Sequence, residues 1–161
     1  MRTNNLVPDF DAAPDSIAHL FALLDEWTAG GRRIFPGELS VAFLDDAAMC
    51  RLHADFLGDP SPTDVISFPG EPEDDGTGEP FAGELCVCVA QAQREAGKHG
   101  NTLAEEVLLY LVHGWLHLAG YDDIEDADRQ AMRAAESAAL SYLREAGFVP
   151  GWASKPQTAK A

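Results

Sequence analysis

The segment that most constrains this chain runs from Val107 to Gly120 and reads VLLYLVHGWLHLAG. Apart from Tyr110, its only polar side chains are His113 and His117. A helix that is apolar on nearly all sides has no face to give to water, so the rest of the chain must surround it. Gly120 marks its end, because a helix commonly stops on a glycine in the left-handed conformation. The fold is therefore organised around one buried helix, and whatever the two histidines do happens inside it.

The remaining segments supply the wrapping. At 161 residues the chain is sized for one domain with a sizeable core. Residues 1–14 read as a loose start or a short edge strand, and Asp15 opens a helix carrying Ile17, Leu20, Phe21 and Leu24 at helical spacing until Gly30-Gly31 stops it. Leu39, Val41 and Phe43 alternate as a strand. Asp45 or Asp46 caps a helix with Met49, Leu52 and Phe56 on its apolar face, ended by Gly58 and Pro60. A short strand, Val65 to Phe68, is expected to stop at Pro69, and the acidic, glycine-rich stretch 70–83 reads as a solvated loop or hairpin excursion. Leu85, Val87 and Val89 form one face of a further strand, followed by a helix from about Ala90 to Gly97. A last helix, about Glu125 to Ala146, is expected to bury Ala131, Ala135, Ala138, Tyr142 and Leu143. The fold class expected is α+β: a small mixed sheet packed with about five helices, the central one carrying the histidines. Residues 1–150 form the single domain, and 151–161 read as a disordered tail.

Charge and cysteine content narrow the function. The net charge of −16 repels polyanions at long range, so a nucleic-acid partner needs a local basic patch. Candidates for one, Arg32, Arg33, Arg51, Arg94 and Lys98, are scattered in sequence. Three cysteines, an odd number, argue against a disulfide framework. Cys86 and Cys88 share a strand face and read as core thiols, with a second metal site as the sharper alternative. No apolar run is long enough to span a bilayer and the N-terminus has no secretory pattern, so a cytoplasmic address without membrane contact is the default expectation.

His113 and His117 lie four residues apart, one helical turn or roughly 6 Å along the axis, on one face. Two such rings can converge on one zinc ion at about 2.0–2.1 Å per bond. Leaving a buried imidazole without a partner costs about 1–3 kcal/mol, so two of them in an apolar helix call for a shared partner. Gly120 lets the chain turn back, and Asp123, six residues after His117, can then reach the same ion. Asp122 reads either as an acceptor for an imidazole N–H or as a cap. Three protein ligands leave one position open for water, which would be the nucleophile; no side chain is assigned a catalytic role. Gly114 stands where the protease motif H-E-x-x-H has its general base, and a small residue there is expected to leave room for a bulky substrate. Two imidazoles and a carboxylate leave less positive charge on the ion than three imidazoles do, so a less acidic bound water is expected than at an all-histidine site.

HGWLHLAGYDD at 113–123 resembles the H-G-x-L-H-L-x-G-Y-D-H motif of the YbeY family. PTDVISFP at 62–69 and GELCVCV at 83–89 resemble that family's P-T-D-V-L-S-F-P stretch and G-D-I-x-I strand, and the likeness spans roughly residues 38–145. The resemblance implies a single-strand-specific, zinc-dependent endoribonuclease acting in 16S rRNA 3′ end maturation and 70S ribosome quality control. Ribosomal RNA and ribosomal particles would then be its partners. It further implies one zinc ion on His113, His117 and Asp123, flanked by the strands 65–68 and 84–89, with Thr63, Asp64 and Ser67 orienting substrate. Thr63 and Asp64 also serve as turn chemistry on their own. Two positions depart from the family pattern: Asp123 stands where histidine is usual, and Leu57 where an arginine follows the aromatic residue.

Three other functions share these residues. H-x3-H-x2-G-x2-D has the ligand spacing of metzincin-like metallopeptidases, though Gly114 removes their base. A non-catalytic, zinc-containing ribosome assembly factor is consistent with Leu57. Two histidines and a carboxylate also form the mononuclear iron triad, which is usually built on a β-barrel rather than on one helix.

Overall fold

Alternation of apolar residues builds the sheet, and its two faces build two cores. In the computed structural model, which describes residues 1–27, 32–71 and 80–156, four strands pair in the order β1 (Arg2–Asn5), β3 (Glu38–Leu44), β5 (Phe81–Cys88), β4 (Val65–Glu71). β1 and β5 both run parallel to β3, while β4 runs antiparallel to β5. Leu39, Val41 and Phe43 of β3 join Leu85 and Val87 of β5 in the larger core. The opposite face carries Leu44, Ile66, Cys86 and Cys88, which with Met49 make a smaller core beneath α2 (Asp46–Leu57). A two-stranded pair, β2 (Phe10–Asp11) with β6 (Ala153–Ser154), stands apart from the main sheet.

The helices α1 (Pro14–Glu26), α3 (Val89–His99), α4 (Leu103–Leu118) and α5 (Asp126–Glu145) complete the α+β architecture. As expected, α4 is central: it packs on β4, β5, α3 and α5, and Leu111, Val112 and Leu116 have no exposed surface. It begins earlier than its apolar run, at a capping box in which Thr102 Oγ1 accepts from the Glu105 N–H and Glu105 returns a bond to the Thr102 N–H. It ends on Gly120 at φ +100°, with the Tyr121 and Gly120 N–H groups bonding the Leu116 and His117 carbonyls in the Schellman pattern.

Four expectations need correction. β4 does not stop at Pro69 but continues to Glu71, which an edge strand allows because it needs bonds on one side only. The inward face of α5 is Met132, Ala135, Ala139 and Leu143, so Ala131 and Ala138 point outward. Residues 151–156 are a packed clip, not a loose tail: Trp152 is buried, its indole N–H donates to the Ala104 carbonyl, and β6 pairs with β2. Burying an indole is favourable enough to order a short segment once its N–H finds an acceptor. Val89 opens α3 rather than closing β5. The Gly30-Gly31 stop, most of the 70–83 excursion and residues 157–161 lie outside the described residues. No helix among the described residues is long and apolar enough to cross a membrane.

Candidate metal centre

The last two turns of α4 and the loop after it bring three donor atoms together. His113 Nε2 and His117 Nε2 lie 3.1 Å apart, and Asp123 Oδ2 lies 3.7 Å from the first and 3.4 Å from the second. A tetrahedral ion with bonds of about 2.0–2.1 Å needs donors about 3.3–3.4 Å apart, so this triangle fits one. Without a cation, the two facing Nε2 lone pairs and a carboxylate oxygen would repel unless protons intervened. Among the described residues, His113, His117 and Asp123 are the one group of three donors close enough to share a metal. Both imidazoles keep about a quarter of their surface exposed, which leaves the ion position reachable from outside.

One partner of this centre was not foreseen. Glu136 on α5 accepts a short hydrogen bond from His113 Nδ1, which fixes the tautomer and turns the Nε2 lone pair towards Asp123 and His117. Burial works against a charge on His113, but the Glu136 bond, then the charges of Glu136, Asp64 and Asp123, outweigh it and hold its pKa above the usual histidine value. The sequence signal existed: Glu136 is four residues after Met132 and three before Ala139, on the inward face of α5. Asp122 does not serve the imidazoles; its carboxylate accepts from the neighbouring Asp123 N–H.

The loop carrying Asp123 is clamped by two guanidinium groups. Arg32 donates to the Gly120 carbonyl at 2.8 Å and lies 4.2 Å over the Tyr121 ring. Arg129 donates to the Ile124 carbonyl at 2.8 Å and pairs with Asp126. Gly114 has a different role from the one expected. A Cβ there would meet Leu85 Cδ2 at 2.9 Å and Val65 Cγ2 at 3.3 Å, so the missing side chain lets α4 settle on β5 and β4 rather than making room for substrate.

From the centre a groove of about 430 Å³ runs along β4 to the end of α2. Thr63 and Ser67 line it, together with His117, Phe56 and Leu57. The Ser67 hydroxyl donates to the Gly114 carbonyl at 3.2 Å, which ties β4 to the histidine-bearing helix. The Asp64 carboxylate accepts from the Val65 N–H and the Thr63 hydroxyl at the strand start and does not line the groove. Cys86 and Cys88 belong to the core: burial, helped by Glu84 and Asp46 respectively, pushes the thiols up to about 12 and about 11, so neither offers a thiolate.

The chain as a whole has known relatives. Residues 12–144 match the family model described as Endoribonuclease YbeY. The chain belongs to the YbeY family. It is 42% identical over 108 residues to the Endoribonuclease YbeY of Protochlamydia amoebophila, covering 67% of this chain and 71% of that one. It is 34% identical over 145 residues to the Endoribonuclease YbeY of Moorella thermoacetica, covering 86% and 93%. The solution structure of TM1509 from Thermotoga maritima has the same fold, with a TM-score of 0.58 and 24% identity over 91% of each chain. The YbeY match begins well before residue 38, where the readable motifs start, and so takes in α1.

Proposed function

We propose that this YbeY-family chain is a single-strand-specific, zinc-dependent endoribonuclease, with His113, His117 and Asp123 as its metal ligands. The observation that carries the reading is the triangle of donor atoms at 3.1, 3.4 and 3.7 Å at the head of an open groove. The relatives' activity as endoribonucleases supplies the substrate class. A bound zinc ion would polarise a phosphoryl oxygen and activate water towards phosphorus.

The chain's own residues do the rest. Glu136 holds the Nδ1 proton of His113 and so keeps Nε2 free to act as a donor to the ion. Arg32 and Arg129 restrain the backbone on either side of Asp123. Thr63 and Ser67 stand along the groove wall where they can orient the substrate backbone. Asp64 supports that wall by fixing the start of β4 rather than by facing the groove. By family resemblance we assign the RNA to ribosomal RNA, at 16S 3′ end maturation and 70S quality control in the cytoplasm.

Elemental analysis of the purified protein, paired with cleavage of a single-stranded ribosomal RNA fragment, tests this reading. One zinc per chain and cleavage lost in His117→Ala are expected. Digestion of casein with no action on RNA would replace it by the metallopeptidase. A His113→Ala chain that binds no metal yet still rescues ribosome maturation would replace it by the assembly factor.

A further inference from the structure

A groove that takes RNA normally neutralises phosphates, and this one does not. Among the described residues its walls hold no lysine or arginine; His53 and His117 are its only groups able to carry positive charge. His53 donates through Nδ1 to the Ser61 carbonyl at 2.8 Å, so that ring nitrogen is already in use. The net charge of −16 makes distant help from the surface repulsive rather than attractive. Residues 72–79, which fall in the β4–β5 connection, contain no cation in their sequence either.

What the groove offers instead is an aromatic surface. Phe56 is 63% exposed although it is a large apolar side chain, and it lies at the groove wall. Its ring is braced by Phe68 in a T-shaped contact with centroids 5.0 Å apart, which restrains it while most of its surface stays in solvent. The same groove ends at His117, so anything on that ring is continuous with the metal centre. Bases stack on aromatic rings regardless of sequence, at about 1–3 kcal/mol each, or roughly 5- to 150-fold in affinity.

We propose that Phe56, braced edge-on by Phe68, is a stacking platform for one unpaired base of a single-stranded RNA whose backbone passes the metal centre. The proposal rests on the endoribonuclease reading and adds the source of binding energy: base stacking replaces phosphate pairing. It also gives the single-strand preference a cause, since a base paired in a duplex has no face free to stack on the ring.

The test measures kcat and KM on a short single-stranded RNA for the zinc-loaded wild type, Phe56→Ala and Phe56→Trp. KM should rise roughly 5- to 100-fold in Phe56→Ala with kcat, zinc content and thermal midpoint kept, and Phe56→Trp should restore it. An abasic nucleotide should weaken the wild type at one position only, and have no effect there in Phe56→Ala. The wild-type dependence of KM on salt should be shallow, and Leu57→Arg should steepen its log–log slope by about 0.7. An unchanged KM in Phe56→Ala, or a steep wild-type salt slope with no abasic effect, overturns the stacking platform while the endoribonuclease stands. A wild type that cleaves no RNA but cuts an unfolded peptide overturns the activity itself, before any variant is compared.

Discussion

The two walls of the groove are built to different standards. On one side α4 is fixed at its start by a capping box, at its end by a Schellman turn, and along its length by Leu111, Trp115 and Leu116, none more than 1% exposed. On the other side α2 contributes Met49 alone to the buried set and leaves Phe56 and Leu57 63% and 65% exposed. Both helices pack on the same sheet, from opposite faces. The difference teaches where each proposed task resides: two of the three donor side chains, His113 and His117, sit on the rigid helix, and the exposed aromatic surface proposed to receive substrate sits on the lightly packed one.

The comparison breaks most visibly at the ligands. His117→Ala should abolish both metal retention and RNA cleavage, read by elemental analysis and a cleavage assay, while the chain stays folded because the His117 ring already keeps about a quarter of its surface in solvent. Next comes packing. Leu111→Ala, at a fully buried position of α4, should cost about 2–5 kcal/mol in denaturant unfolding, whereas Phe56→Ala should shift the midpoint little. Equal losses at the two sites would remove the contrast. Glu136→Ala should weaken zinc affinity about 10- to 100-fold in a chelator competition, with Glu136→Gln, which still accepts from Nδ1, falling between.

The smallest effect sharpens the comparison on the α2 side. Asp46 at the start of α2 pairs with Arg94 of α3 at 2.7 Å, and that bond holds its carboxyl below the ordinary value of 3.8. A carboxyl lowered on folding adds stability above its unfolded pKa and loses it as the pH falls through its folded pKa. Asp46→Asn should therefore cost no more than about 0.2–1 kcal/mol near neutral pH, since both partners are well exposed, and the gap to wild type should close below pH 3.8. Thermal melts of both chains across an acid series measure it.

The histidine-bearing helix was readable because two histidines in an otherwise apolar run have few explanations, and the glycine stop placed Asp123 within reach. β3 and β5 were readable from alternation, whereas β6 lay in the stretch expected to be a tail. Glu136 escaped because α5 is rich in alanine: Ala131, Ala134, Ala135, Ala138 and Ala139 give almost no contrast between faces. Only Met132 and Leu143 set the phase, and a one-residue slip turns the glutamate outward. Pro69 misled because an edge position depends on the order of strands, which a local pattern does not contain. The Trp152 clip depends on a carbonyl 48 residues away, and the packing use of Gly114 on Leu85 and Val65 of neighbouring strands.

All three donors lie between residues 113 and 123, so they close only short loops, and their meeting demands little long-range chain order. Glu136 arrives from a different helix. Capture of an ion at the proposed site would thus divide into a local grasp, available as soon as α4 and its turn exist, and a final tightening when α5 docks. The off-rate of such an ion would become a clock for that docking, readable during refolding without any label on the chain.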